Sequence, residues 1–275
     1  MKTDKFQTLV WDFYEDHGRD ELPWRNTDDP YAIYISEMML QQTQATRVIP
    51  KYKNWLEAFP DFAAVKETKK SEVLKNWQGL GYNRRALYIK KSCETVVLDH
   101  DGKLPQNRAD LLALPGVGPY TAGALLAFVY GKPVVFVETN IRTAIIHHFF
   151  PEKEDISDKK IKKQVKKVLP DENIRTWYKA LMDYGHHIKS EVGNLNRQSS
   201  TYQKQSKFSG SNRQLRSKLT RFVLDNEPTS VKSIKDEFAG FAEDHKRMKS
   251  IETNLKILED EGFLEVADSR IETAN

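Results

Sequence analysis

The sequence predicts a mainly α-helical protein that ends in a small domain of helices and a β-ribbon. Apolar residues recur at helical spacing through most of the chain, as at Phe6, Leu9, Val10 and Phe13 near its start. Loops that contain glycine and proline separate these periodic stretches. Before residue 190 only 133–137 has a β-like composition, and that stretch is too short to require a sheet.

The helices of the first 192 residues follow one another with short loops between them. After the N-terminal helix they are predicted over 31–43, 46–59, 71–78, 84–99, 108–112, 119–130, 140–149, 158–169 and 175–188. A loop rich in proline and aspartate, over 22–30, comes before the second of them. The composition changes at Gly193, which marks the end of this helical region.

A basic polar segment over 193–212 connects the helical region to the rest of the chain. Between 194 and 212 it contains no acidic residue and little periodicity, which predicts an extended or irregular backbone. It is either a solvated linker or an arm that follows a phosphate backbone. The second interpretation rests on the alternation of Arg197, Lys204 and Lys207 with hydroxyls, amides, Tyr202 and Phe208.

Residues 213–275 are predicted to form a winged-helix-like domain. Three apolar helical faces are followed by Gly262 and a β-like stretch over 263–266. The third helix either presents basic and amide side chains to a DNA groove or carries them as the solvated face of a packing domain. The side chains in question are Lys246, Arg247, Lys249, Asn254 and Lys256.

The composition is that of a globular protein with a weak preference for polyanions. The 275 residues are 39% hydrophobic and 30% charged, with a formal net charge of +4. No apolar run has the length of a membrane span and no signal peptide is visible, so we expect a cytoplasmic protein with no membrane partner. Cys93 is the single cysteine, which excludes an internal disulfide. No metal site is predicted, because the neighbouring histidines at 147–148 and 186–187 point about 100° apart on a helix and chelate poorly.

The most informative stretch is Leu-Pro-Gly-Val-Gly over 114–118, followed by Glu138. Gly116 and Gly118 permit a tight turn whose N–H groups can approach a ligand closely. The next helix is predicted to begin near Pro119, and its N-terminus favours an anion such as a phosphate. The alternative is an ordinary hairpin of two helices with no ligand.

Further candidate residues lie before the hairpin. Glu37 interrupts an apolar helix, so it is either exposed or desolvated in a cleft, where its pKa would rise towards that of a general acid. Gln41 and Gln42 suit base edges or a gap in a stack. Tyr82 is a loop aromatic suited to stacking, and the arginines at 84–85 are suited to phosphates.

Together these segments resemble the helix-hairpin-helix superfamily of DNA glycosylases, most closely the MutY-type adenine DNA glycosylases. The resemblance covers roughly residues 5–190 and rests on Leu-Pro-Trp-Arg over 22–25, Leu-Gln-Gln-Thr over 40–43, Gly-Leu-Gly-Tyr over 79–82 and the hairpin. It implies a glycosylase core over 1–192, with a six-helix subdomain over about 23–133 inserted between the N-terminal helix and the helices of 134–192. It also implies that the target nucleotide is flipped into a pocket between the subdomains.

The resemblance assigns roles to individual residues. It makes Glu37 the general acid and Glu138 the carboxylate that stabilises the oxocarbenium ion and the incoming water. Tyr120 stands where bifunctional relatives have lysine, so no Schiff base forms and no strong strand cleavage is expected. Asn140 positions the water or the carboxylate. The pocket-lining positions are Trp24, Arg25 and Asp183. Gln42 and Tyr82 align with residues that intercalate around the lesion pair. The residues expected to contact DNA are Gln41, Gln42, Tyr82, Arg84, Leu114, Gly116, Val117, Gly118, Tyr120, Thr121, Lys204 and Lys207.

The chain departs from the family pattern in three ways. Glu138 replaces the usual aspartate, which moves the charge by about one bond length. The four cysteines of the family's iron–sulfur loop are missing, so no cofactor is expected apart from a monovalent cation at the hairpin. The winged-helix-like domain stands where relatives carry a domain that recognises 8-oxoguanine.

The predicted function is that of a monomeric, monofunctional DNA glycosylase of base excision repair. Its predicted partner is double-stranded DNA with a mismatch or lesion, and its predicted substrate is adenine paired with 8-oxoguanine or guanine. One alternative is a thymine or uracil mismatch glycosylase on the same scaffold. Another is a DNA-binding protein without catalytic activity.

Overall fold

The computed structural model describes residues 1–204, 207–243, 250–267 and 270–274. The predicted mainly helical fold class is confirmed. The helices up to residue 204 are α1 Thr3–His17, α2 Pro30–Leu40, α3 Ala45–Ala58, α4 Phe62–Glu67, α5 Lys70–Trp77, α6 Arg84–Asp99, α7 Arg108–Ala113, α8 Pro119–Phe128, α9 Thr139–Phe149, α10 Asp158–Val168 and α11 Ile174–Val192. Two 3-10 helices cover Pro23–Arg25 and Leu195–Gln198. None of the helices in these ranges has the length and apolar character needed to cross a membrane.

The predicted helices are present with ends that differ by a few residues. Helix α4, which has six residues and begins after Asp61, was not predicted. The Asp61 side chain accepts a hydrogen bond from the Ala64 amide at 2.7 Å and caps this helix. The β-like stretch over 133–137 is not a strand.

One compact unit consists of Met1–Met38 and Leu104–Lys204. Its core lies around α11, which packs on α1, α8 and α9. The α9–α11 contact is unusually close, because a Cβ built at Gly185 would lie 2.0 Å from the carbonyl oxygen of Asn140. This glycine therefore holds the first turn of α9, where several candidate site residues lie, against α11.

The second compact unit consists of Met39–Lys103 and Gln205–Asn275. In its first part, helices α3 to α6 surround buried aromatic side chains, and the rings of Trp55 and Trp77 meet edge to face at 5.8 Å. Arginine 85, on α6, is also buried in this part. The loop after α5 and the turn after α2 therefore rest on a well-packed helical support.

The rest of this unit is consistent with the predicted winged-helix-like domain. Helices α12 Asn212–Asn226, α13 Val231–Glu243 and α14 Ile251–Asp260 pack with strands β1 Thr229–Ser230, β2 Leu264–Ala267 and β3 Arg270–Thr273. The strands form an antiparallel sheet in the order β1-β3-β2, with Val266 opposite Ile271. The short β1 was not predicted.

The predicted groove-reading residues of the third helix have different outcomes. Asn254 is fully buried, and its amide donates to the Ser250 carbonyl at 3.0 Å, so the expectation that it faces a groove is wrong. Lys256 is exposed and pairs with Glu259 and Asp260 on its own helix. Lysines 246 and 249 and arginine 247 lie outside the described residues.

Candidate active site

The glycine turn joins α7 and α8 as predicted. Gly116 has a φ of +77°, and Gly118 is the N-cap residue of α8, with Pro119 in the first turn. A Cβ built at Gly118 would meet no atom within 4 Å, so the space in front of this helix end is open. A helix N-terminus favours an anion, so this open end of α8 suits a phosphate.

The hairpin side chains that were expected to contact DNA are mostly turned inwards. Leu114, Val117 and Thr121 are all buried. The Val117 amide donates to the Leu114 carbonyl at 3.1 Å and closes the turn. These side chains therefore stabilise the turn, and the surface they leave to a ligand is mainly the backbone of Gly116 and Gly118. The monovalent cation expected at this turn stays a prediction.

Glu37 lies on α2, a helix whose side chains are almost all buried. Asp29 caps this helix by accepting the amides of Tyr31 and Ala32 at 3.0 and 3.2 Å. Glu37 itself is only 4% exposed, which decides between the two positions left open by the sequence. The Tyr120 hydroxyl donates a hydrogen bond to its Oε2 at 2.9 Å.

The environment of Glu37 favours its protonated form. Burial raises its pKa from the ordinary value of 4.5 to about 7. The hydrogen bond from Tyr120 acts in the opposite direction, and the negative charge of Glu138 adds to the increase. Glu37 is thus a carboxyl group that can hold and release a proton near neutral pH.

Glu138 is the N-cap residue of α9. Its Oε1 accepts the Ile141 amide at 2.7 Å. Burial raises the pKa of Glu138, while the amides of Asn140 and Ile141 and the charges of Arg142 and Lys189 lower it. Because a helix N-terminus stabilises an anion, Glu138 is the better of the two carboxyls at carrying the negative charge. The two carboxyls therefore differ in the way that acid-assisted glycoside cleavage requires.

Tyr120 is fixed by aromatic packing as well as by its hydrogen bond. Its ring meets that of Phe136 edge to face at 5.8 Å, and Phe136 packs on Tyr178 at 4.0 Å between ring centroids. Phe136 can approach α8 because residue 123 is glycine, where a Cβ would lie 2.6 Å from the Phe136 Cβ. Tyr120 therefore occupies a defined position beside Glu37 with a hydroxyl and no amine.

Arg25 and Asp183, both predicted to line the pocket, form a buried ion pair with each other. The Arg25 guanidinium donates to both Asp183 oxygens at 2.5 and 2.7 Å. Arg19 adds its Nε at 2.6 Å and its backbone amide at 3.0 Å. Trp24, which precedes Arg25 in the sequence, is also buried. The ion pair connects the 3-10 helix Pro23–Arg25 to α11.

Asn140, which was expected to position the water or the carboxylate, lies half-buried in the first turn of α9.

The predicted intercalating residues lie in two loops of the second unit. Gln42 follows α2 and is exposed, with a φ of +55°, and Gln41 beside it is half-buried. Tyr82 lies before α6, half-buried, with a φ of +49°. Residues other than glycine rarely adopt such φ angles, so the surrounding structure must hold both loops in place.

Arg85 holds both loops, a role that was not predicted from the sequence. Its guanidinium donates to the Met39 carbonyl at 2.7 Å and to the Thr43 hydroxyl at 2.9 Å, in and after the end of α2. It also donates to the carbonyls of Leu80 and Gly81 at 3.3 and 3.0 Å. The expectation that Arg85 binds phosphate is therefore wrong, because the guanidinium is buried among these acceptors.

The other basic residues that were expected to contact DNA are at the surface. Arg84 is half-exposed and forms an ion pair with Glu261. Lys204 and Lys207 are exposed.

The start of the connecting segment over 193–212 packs within the first unit, since the Ile156 amide donates to the Gln198 carbonyl at 2.9 Å. The irregular backbone predicted for 194–212 is therefore wrong at Leu195–Gln198, which forms a 3-10 turn.

The residues present do not fit an iron–sulfur cluster. Such a cluster needs four thiolates, and the chain has one cysteine. Cys93 is buried in α6, and burial raises the pKa of its thiol well above the ordinary value. Among the described residues, no group of three or more histidine, cysteine, aspartate or glutamate side chains is arranged to hold a metal ion.

Comparison with known proteins finds a family of DNA repair proteins and several DNA glycosylases. Residues 35–171 match the family described as HhH-GPD superfamily base excision DNA repair protein. An adenine DNA glycosylase of Buchnera aphidicola subsp. Baizongia pistaciae is 32% identical over 189 residues, which are 67% of this chain and 53% of the relative. The chain thus spans about half the length of the curated adenine glycosylases that it matches.

Two further relatives are matched over most of their length. A thymine/uracil-DNA glycosylase of Methanothermobacter thermautotrophicus is 32% identical over 182 residues, which are 65% of this chain and 82% of the relative. The solved structure of a thermostable thymine-DNA glycosylase is 29% identical with a TM-score of 0.59, over 66% of this chain and 85% of that chain. These matches confirm the resemblance drawn from the motifs. The chain belongs to the HhH-GPD superfamily of base excision DNA repair proteins.

Proposed function

We propose that this chain is a monofunctional DNA glycosylase that removes adenine paired with 8-oxoguanine or guanine. The observation that carries the proposal is the buried Glu37, whose pKa of about 7 lets it act as a general acid. The membership of the HhH-GPD superfamily gives that acid a context in base excision. The protein would act as a cytoplasmic monomer on duplex DNA.

The proposed reaction uses the two carboxyls on opposite parts of one flipped nucleotide. Glu37 donates its proton to a ring nitrogen of the base as the bond between C1′ and the base nitrogen breaks. The electron pair leaves with the base, and Glu138 stabilises the positive charge that develops on the sugar. Water then adds to C1′ and transfers a proton to Glu138, which completes the hydrolysis.

Tyr120 supports base removal without strand cleavage. A lyase of this type needs an amine that forms a Schiff base with C1′. Tyr120 donates to Glu37 at 2.9 Å and offers a hydroxyl where an amine would be required. The product we propose is therefore an abasic site in an intact strand.

The second candidate function is removal of thymine or uracil from a mismatch with guanine. The observation in its favour is the thymine/uracil-DNA glycosylase relative, 82% of whose length is matched, compared with 53% for the adenine glycosylase above. A DNA-binding protein without catalytic activity is the third candidate, and the buried acid Glu37 weighs against it.

One experiment separates these candidates. The purified chain is incubated with duplexes that carry adenine, thymine, uracil or hypoxanthine opposite guanine or 8-oxoguanine, and each product is analysed with and without alkali. Alkali-dependent cleavage at adenine alone supports the first candidate, and cleavage at thymine or uracil supports the second. Tight binding with no cleavage supports the third. Cleavage without alkali contradicts the monofunctional assignment.

A variant tests the role of Glu37. Glu37→Gln is expected to abolish base release and to leave DNA binding in place, because the amide keeps the shape of the side chain and loses the transferable proton. Glu15→Gln, at an exposed position on α1, is the matched control and is expected to keep full activity. Full activity of Glu37→Gln would show that the general acid lies elsewhere.

A further inference from the structure

Three side chains from two parts of the second unit meet at the loop that carries Tyr82. Arg213, in the first turn of α12, donates from its guanidinium to the Tyr82 hydroxyl at 2.7 Å. The central carbon of the same guanidinium lies 5.3 Å from the Tyr82 ring centroid and 5.8 Å from that of Phe208. Both distances are within the range of cation–π contacts. The guanidinium therefore links the ring of Phe208 to the ring of Tyr82.

Phe208 is exposed although its backbone is well fixed. It is 53% exposed, which is unusual for a phenylalanine. Its carbonyl accepts the Ser211 hydroxyl at 2.6 Å and the Ser211 amide at 3.2 Å. Ser211 is in turn the N-cap residue of α12. The fold thus holds a large apolar ring in solvent, where it contributes little to the core.

We propose that Phe208 and Arg213 extend Tyr82 into a stacking platform for the base that stays in the duplex after its partner has been flipped out. The proposal rests on the proposed function, since it needs a duplex with one nucleotide extruded. Aromatic rings and guanidinium planes both stack on nucleobases, whatever the sequence. A base that has lost its partner exposes apolar surface that such a platform covers.

The surroundings favour DNA over a protein partner. Arg213 carries a positive charge at the platform, and the exposed Lys207 is next to Phe208 in the sequence. Such charges suit the phosphates on either side of an unpaired base. The platform also includes Tyr82, which the resemblance to glycosylases makes an intercalating residue. An apolar protein surface would form no favourable contact with the guanidinium that lies between the two rings.

The test compares the affinity of the full chain for two duplexes by fluorescence anisotropy. Both carry a tetrahydrofuran abasic analogue, placed opposite guanine in the first duplex and opposite a second tetrahydrofuran in the other. Phe208→Ala is expected to weaken binding of the first duplex by about 5-fold or more, which corresponds to one base–aromatic stack, and to leave the second nearly unchanged. Equal losses on both duplexes, or no loss on either, would overturn the proposal.

Two further variants separate stacking from charge and from general surface effects. Arg213→Lys keeps the positive charge and loses the planar guanidinium, so it is expected to show the same selective loss. Leu98→Ala removes an exposed apolar side chain from the end of α6 and is expected to bind both duplexes normally. A normal Arg213→Lys affinity for the first duplex would exclude the guanidinium from the platform.

A fluorescent base reports stacking directly. With 2-aminopurine opposite the tetrahydrofuran, binding of the wild-type chain is expected to quench the emission, and Phe208→Ala is expected to quench it less. Identical quenching by the two proteins would overturn the proposal. Because neither assay requires excision, a chain that removes no base still tests the platform, while the alkali assay tests the proposed function separately.

Discussion

Replacing Glu37 by glutamine should stabilise the protein at alkaline pH while it abolishes base release. A carboxyl whose pKa rises from 4.5 to about 7 on folding is harder to ionise in the folded protein than in the unfolded chain. Below about pH 4.5 Glu37 is protonated in both the folded and the unfolded state, so its burial costs no stability there. Stability falls as the pH rises between the two values, because the folded state then binds more protons, and the loss above pH 7 reaches about 3 kcal/mol.

The side chain of Glu37→Gln has no charge to bury, and its amide oxygen still accepts the Tyr120 hydroxyl. The variant should therefore be about 3 kcal/mol more stable than the wild type near pH 8 and close to it near pH 4.5. Urea unfolding of both proteins at several pH values measures this difference. Glu15→Gln, which changes an exposed carboxyl, controls for the loss of a charge in general. A stability difference that does not change with pH would refute the reasoning.

Three other changes test the site and its support. Single-turnover base release should fall about tenfold per pH unit above about pH 7, as Glu37 loses its proton. Tyr120→Phe should move this decline to higher pH, because the Tyr120 hydroxyl lowers the pKa of Glu37. A decline at the same pH in the variant would contradict this coupling. Gly185→Ala should destabilise the protein by about 3 kcal/mol in urea unfolding, since the new Cβ would lie 2.0 Å from a backbone oxygen. Gly240→Ala, at a position with open space on α13, should be neutral or stabilising by up to about 1 kcal/mol, and similar effects of the two would count against the tight α9–α11 contact. Arg85→Lys should lower the free energy of unfolding by about 3 kcal/mol, because one amine cannot reach all the acceptors of the buried guanidinium, and a loss below about 1 kcal/mol would mean that the loops do not depend on it.

Local sequence patterns predicted most of the helices. The helix predicted over 84–99 is observed as Arg84–Asp99, because its apolar face repeats over four turns. Helix α4 was missed because six residues contain too little of the pattern, although the cap at Asp61 was a usable signal. The burial of Arg85 also had a signal, since Arg85, Ile89, Cys93 and Val96 lie on one face of α6.

The candidate acids were recognisable, and their environments were not. Glu37 stood out as a carboxylate in an apolar helix, but its hydrogen bond comes from Tyr120, 83 residues later. The ion pair of Arg25 with Asp183 joins residues 158 apart. Such contacts depend on how distant helices pack, and no local pattern encodes that packing. The same holds for Arg213, which no motif connected with Tyr82.

Each compact unit combines two stretches of chain that are not adjacent in sequence, and this affects the order in which the protein can assemble on the ribosome. Unit one is complete once residue 204 has emerged, while the stretch 39–103 still lacks its C-terminal partner. Tyr82 and Arg213 are 131 residues apart, which corresponds to about 7–26 s of synthesis at typical rates. A growing chain therefore contains Glu37 and the hairpin before the Tyr82 loop has its partners, so the proposed stacking platform would form after them.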